Sequence, residues 1–151
     1  KAVELNPREV KRFINNFIIS REIFSGDEVK PEELLLVQAL KMRWNDFYSY
    51  ISTDEKFRQE VKKYAELSED DRIDAINKRK NDKDNPPKGY ENKVFDFESK
   101  DLWDFLRNNM KVVFQIDWKV YRHVVESLKQ EKEIIKESVA VSERGKIRTT
   151  P

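Results

Sequence analysis

Three cations near the start of the chain, Arg8, Lys11 and Arg12, lie three and four residues apart in the stretch NPREVKRFIN. On a helix that spacing gathers them on one face. A cluster of guanidinium and ammonium groups is the kind of surface that takes a phosphate. With Arg8 at zero and about 100° per residue, Arg12 falls near 40°, Asn15 near 340° and Lys11 near 300°. Val10, Phe13, Phe17 and Phe24 fall at roughly 140° to 200°, so the cations oppose an apolar stripe. Cations in a first turn run against the helix dipole, at a cost of about 0.3–1 kcal/mol each. A purely structural helix more often has Asp or Glu there. On spacing alone, a solvated basic face accounts for the pattern as well as a phosphate contact does. Arg21 falls near 220° on the same scale. It is expected to snorkel to the edge of the stripe or to pair with a carboxylate of the next helix.

The other chemistry-bearing residues are better explained by structure. His123 is the only histidine and there is no cysteine. Neither a histidine-based metal site nor a histidine-based catalytic group has its partners, and thiolate zinc, disulfides and a cysteine nucleophile are excluded. Glu69, Asp70 and Asp71 are adjacent, but they fall in a helix first turn, where the dipole favours acids. Trp44, Phe47, Tyr48 and Tyr50 could stack on bases, yet most of them share the seam side of a helix with Leu40 and Ile51, which is a core pattern. Lys78, Arg79, Lys80 and Lys83 are interrupted by Asp82 and Asp84, and the mixed signs weaken any nucleic-acid surface. The glycines are Gly26, Gly89 and Gly145, too few and too scattered for a P-loop or a Rossmann turn.

The elements that must position these residues are helical. Asn6, Pro7 and Glu9 stand where an N-cap, a first helical residue and a capping-box acid belong, which predicts a helix from Pro7 to about Phe24 with Val10, Phe13, Ile14, Phe17 and Phe24 buried. Ser25-Gly26-Asp27 ends it. Leu34, Val37, Leu40, Trp44, Phe47 and Ile51 form a long seam at helical spacing, which predicts a central helix over about 31–51. Ser52 with Glu55 reads as a capping box before Phe57, Val61, Tyr64 and Leu67. Ser68 with Asp71 is a weaker version, before a short, weakly apolar helix with Ile73 and Ile76.

Residues 78–93, KRKNDKDNPPKGYENK, predict a mobile polar loop, and Val94 to Phe97 alternate like a short extended piece. Ser99 caps a helix with Leu102, Trp103, Phe105, Leu106 and Met110. Asp117 caps the last one, through Trp118, Tyr121, Val125, Leu128 and Ile135. The expected class is all-α, an irregular bundle of five or six helices around the 31–51 helix, with a helical domain over 1–139 and a basic tail or linker over 140–151.

Composition agrees. Aromatics at 11% permit a packed core although charged residues reach 39%, which implies narrow apolar stripes on charged helices. A net charge of +1 gives no whole-molecule attraction to nucleic acid or acidic membranes. No run approaches the roughly 18 apolar residues of a membrane span, and no signal peptide is evident. The expected compartment is the cytoplasm. A chain that opens with Lys1 rather than Met is expected to be a piece of a longer protein.

N-P-R-x-x-K-R-F-x-N resembles the signature that opens the C-terminal helical subdomain of KAP-family P-loop ATPases. More broadly it is similar to the second sensor helix of AAA+ and STAND ATPases, where a small turn residue, often Pro, precedes an Arg that begins the helix. Leu5 stands where many AAA+ versions have Gly, so the likeness is closer to KAP. The following LLLVQALKMRWNDFYSYI also resembles what comes next in KAP-type and related bacterial ATPases; together the two stretches cover roughly the first third of the chain, and no family pattern is found beyond about residue 67. It implies that Arg8 is a sensor arginine reaching the γ-phosphate held by an N-terminal P-loop domain. Lys11 and Arg12 match the family's basic positions, and Phe13 its core position. It further implies a regulatory lid that is not catalytic alone and holds no cofactor of its own, with ATP and Mg²⁺ belonging to the parent protein. A homo-oligomer or a protein partner is a further expectation. The alternative is a helical protein-interaction module with no nucleotide role, using Glu126 to Lys136 or the 78–93 loop. Nucleic-acid binding through Arg8, Lys11 and Arg12 is a weaker third reading.

Overall fold

The computed structural model of the chain describes residues 6–23 and 29–127. Those residues are all-α, with no strand among them. Helix α1 is Pro7–Ile23, α2 Pro31–Arg43, α3 Asn45–Thr53, α4 Glu55–Ala65, α5 Glu69–Lys80, α6 Tyr90–Val94, α7 Lys100–Asn108 and α8 Met110–Val113. A ninth helix, α9, occupies 118–127. The chain divides into two compact units, one drawn from Lys1–Gln38 and Val120–Pro151, the other Ala39–Lys119.

Bundle class follows from the spacing, but the helices are shorter and more numerous than the five or six expected. The predicted 31–51 helix is two helices. Trp44 leaves helical geometry at φ −132°, ψ 64°, although its N–H still bonds to the Leu40 carbonyl at 2.9 Å and its own carbonyl accepts from Tyr48 at 2.9 Å. The turn is held from outside the seam. Trp44 packs on Phe105 with ring centroids 5.3 Å apart, Arg43 lies over the Trp44 ring, and the Arg43 guanidinium donates to Asp101 at 2.9 Å. A periodic seam does not report such a break, because Leu40 and Phe47 stay buried on either side of it.

In the Ala39–Lys119 unit the most connected element is α4, which meets α3, α5, α6 and α7. Phe57, Val61, Tyr64 and Ala65 are its buried stripe, at the i, i+4, i+7, i+8 spacing of one helix face. Phe57 anchors an aromatic cluster. Its ring meets Phe47 at 5.6 Å, Tyr50 at 5.3 Å and Phe97 at 6.1 Å, while Phe47 meets Phe97 edge-on at 5.1 Å. Edge-to-face pairs of this kind add about 0.5–1.5 kcal/mol beyond their area. Of the aromatics of the 44–50 stretch, Phe47 and Tyr48 are therefore core, while Trp44 and Tyr50 are half-buried against neighbouring rings.

Caps differ in detail. Asp54, not Ser52, caps α4: its carboxylate accepts from the N–H groups of Lys56 at 2.9 Å and Phe57 at 3.2 Å. Ser52 is buried within α3, which runs on to Thr53. Ser68 does cap α5 and Ser99 does cap α7, and the Asp117 carboxylate accepts from the Lys119 N–H at 3.1 Å at the head of α9. Val94 to Phe97 are not extended. Val94 ends α6 and the next two residues turn, which buries Val94 and Phe95 side by side.

Residues 78–93 carry more order than a solvated loop requires. The first three close α5 and the last four lie in α6. Between them Arg79 donates to the Asn85 carbonyl at 2.6 Å and to both Glu91 oxygens at 3.3 and 2.7 Å. The Asp82 carboxylate accepts from the N–H groups of Asp84 and Asn85. Gly89 then takes φ 61°, ψ −121°, a backbone state that favours glycine.

In the other unit, Tyr121 is 1% exposed. Its hydroxyl donates to Glu33 and accepts from the Lys30 N–H at 3.0 Å, tying α9 to the head of α2. Burial first, and the Glu33 bond second, push the Tyr121 hydroxyl up to about 12. Phe24, Leu128, Ile135 and the 140–151 tail lie outside the described residues, as does most of the Glu126 to Lys136 surface.

Candidate functional site

Helix α1 begins as its sequence predicts. The Asn6 side-chain oxygen accepts from the Arg8 N–H at 3.0 Å, and the Asn6 carbonyl accepts from Glu9 and Val10. Arg8 thus sits at the second helical position with its own N–H already satisfied. Any anion met here would be met by side chains rather than by the open amides of a helix end.

Arg8, Lys11 and Arg12 are all exposed. With Asn15, Asn16 and Ile19 they line one open depression of about 400 Å³. The structure therefore brings the three predicted residues onto one face, as i, i+3 and i+4 neighbours. Among the described residues none of the three forms an ion pair with a carboxylate. Arg8 and Arg12 offer planar forks suited to two oxygens of one phosphate, and Lys11 a point charge beside them.

The apolar side of α1 departs from expectation. Val10, Phe13 and Phe17 are only half-buried. Ile14, placed in the buried stripe, is 49% exposed, and Ile18 and Ile19 are 47% and 37% exposed. On the helical wheel Ile18 falls near 280° and Ile19 near 20°, so they interleave with Lys11, Arg8 and Arg12. The face is mixed, cationic and apolar. Arg21 is exposed, and no described carboxylate pairs with it.

His123 is exposed on α9, and Glu69, Asp70 and Asp71 occupy the first turn of α5. No metal-holding group of acids and histidines occurs among the described residues.

One arginine was not singled out by sequence. Arg72, on α5, is 6% exposed, and its guanidinium lies 5.0 Å from the centre of the Trp103 ring. Burial pulls it below the ordinary arginine value; Glu69 and Asp104 oppose that, and Arg107 adds to it. The available signal was the stripe Arg72, Ala75, Ile76, Arg79. It has i, i+3, i+4, i+7 spacing, but with an arginine at each end it does not look like a core face.

No protein-family model, curated protein or solved structure matches this chain.

Proposed function

We propose that α1 is the docking and phosphate-sensing helix of a regulatory lid in a P-loop ATPase of KAP or STAND type. The observation that supports this reading is the mixed face. A solvated basic face has no use for isoleucines, and fully burying one contributes about 1.5–3 kcal/mol, of which Ile14 and Ile18, 49% and 47% exposed, forgo about half. Cations interleaved with uncovered isoleucines suit a surface that closes on another domain, with the apolar residues supplying contact and the arginines reaching an anion. The resemblance of NPREVKRF to the sensor helix supplies the identity of that anion, the γ-phosphate.

In this reading the nucleotide and its Mg²⁺ belong to the other domain, and this chain contributes Arg8. Its guanidinium would neutralise γ-phosphate charge, with Lys11 and Arg12 supporting. The lid would then dock in the triphosphate state and relax after hydrolysis. Alone, the chain hydrolyses nothing. The test is Arg8→Ala in the longer protein. ATP turnover is expected to fall, with nucleotide affinity weakened for ATP more than for ADP. Unchanged turnover and affinity would sink the proposal, and so would the lack of a Walker A motif upstream of Lys1.

The same isoleucines also favour a second reading, a helical protein-interaction module that docks a partner through α1 with no nucleotide role. Upstream sequence separates the two.

A further inference from the structure

A second depression lies within the Ala39–Lys119 unit, between α5 and the segment from Phe95 to Trp103. It measures about 240 Å³ and is lined by Ile73, Ile76, Phe95, Phe97 and Trp103, by the amide of Asn77 and by the charged residues Glu69, Arg72, Lys80, Glu98 and Lys100. The rim charges are paired: Lys80 with Glu98 at 3.2 Å and Lys100 with Glu69 at 3.4 Å. Arg72 is not. Glu69 and Asp104 are its nearest acids electrostatically, yet no described carboxylate reaches it as an ion pair. Three cations against two carboxylates leave one positive charge, and it belongs to the most buried of the five residues.

A buried guanidinium needs compensation. The Trp103 ring below it meets the charge from one face, but it does not satisfy the in-plane fork, which presents up to five N–H donors. A carboxylate is the group that matches that fork with two parallel hydrogen bonds. Inside the rim of paired charges, the apolar part of the lining is Ile73, Ile76 and the rings of Phe95, Phe97 and Trp103. An apolar cavity of about 150 Å³ takes a benzene, so this one has room for a single ring and one small anionic group, and not for a nucleotide.

We propose that this pocket is a binding site for a small planar monoanion, a monocyclic aromatic carboxylate, with its carboxylate on Arg72 and its ring against Phe95, Phe97 and Ile76. This site is independent of the α1 reading.

The test uses the chain as it stands, with benzoate as probe and benzamide and acetate as controls. The readout is the indole N–H resonance of Trp103, assigned with Trp103→Phe. Benzoate is expected to give a saturable shift. Benzamide, which keeps the ring and loses the charge, should bind about tenfold more weakly or worse. Acetate, which lacks the ring, should give no saturable shift. Arg72→Met should abolish the benzoate response. Should that variant fail to fold, Ile76→Trp fills the cavity with Arg72 left in place and should abolish it equally. Equal affinity for benzoate and benzamide would overturn the proposal. So would benzoate binding retained in either variant, or no indole shift up to the solubility limit of benzoate.

Discussion

Helix α1 carries seven apolar residues and α5 carries three, yet the sparser helix has the more deeply buried side chain. In α1, Ile14, Ile18 and Ile19 are exposed and the arginines stand beside them. In α5 the most buried residue is an arginine, set on an indole. Each helix has an arginine in or just after its first turn, Arg8 in one and Arg72 in the other. Their surroundings decide what they can do. Arg8 is exposed, and among the described residues no carboxylate pairs with its guanidinium. Arg72 is held in one place and is accessible only to something small. Apolar content predicts that a helix will seek a neighbour, not that the neighbour is within the same chain.

The contrast breaks most visibly at Trp103, which is 1% exposed and lies beneath Arg72. Trp103→Ala should destabilise the Ala39–Lys119 unit by about 3–5 kcal/mol, measured by urea unfolding. A loss under about 1 kcal/mol would mean that Arg72 has no fixed floor.

Tyr121 offers a test in the unit that holds α1. Its folded value is raised to about 12 from the ordinary 10. The stability it contributes is therefore full below pH 10 and drains away as pH rises from 10 towards 12, by about 2–3 kcal/mol in all. Tyr121→Phe should remove that alkaline slope, read from thermal melts between pH 8 and 12.

Asp54→Ala should cost about 1 kcal/mol through loss of the α4 cap. Burial tends to raise the Asp54 carboxyl. Hydrogen bonds from Tyr90 and from the Phe57 and Lys56 N–H groups, with Arg58 nearby, outweigh it and hold the carboxyl below its usual 3.8. Its contribution is present above that value and is lost as pH falls through the folded one, so wild type and variant should converge in acid.

Arg72→Met keeps the volume and removes a buried, unpaired charge. Stability should change by less than about 1 kcal/mol in either direction, while benzoate binding disappears. A large loss would make Arg72 a structural pillar rather than a receptor. Smallest of all, Arg8→Ala should leave the stability of this chain within about 0.5 kcal/mol; under the proposed sensor role its consequence would be read only in ATP turnover, with a P-loop domain present. The pair Arg8 and Arg72 is then separated by what each does when nothing unfolds.

Much of this molecule was legible in one dimension. Helix α1, the caps at Asn6, Ser68, Ser99 and Asp117, the buried faces of α4 and α7 and the all-α class follow from spacing and capping chemistry, which act over a few residues. The grouping of Arg8, Lys11 and Arg12 on one face was equally local. The structure alone decided the rest. It broke the 31–51 seam at Trp44, because Phe105 and Asp101 hold the turn from sixty residues away. It folded residues 81–89 around Arg79, because Glu91 is within reach once α6 forms. It left Ile14 and Ile18 uncovered, and it buried Arg72 on Trp103. Sequence determines which face a side chain shares with its neighbours along a helix; only the packed chain determines what, if anything, that face meets.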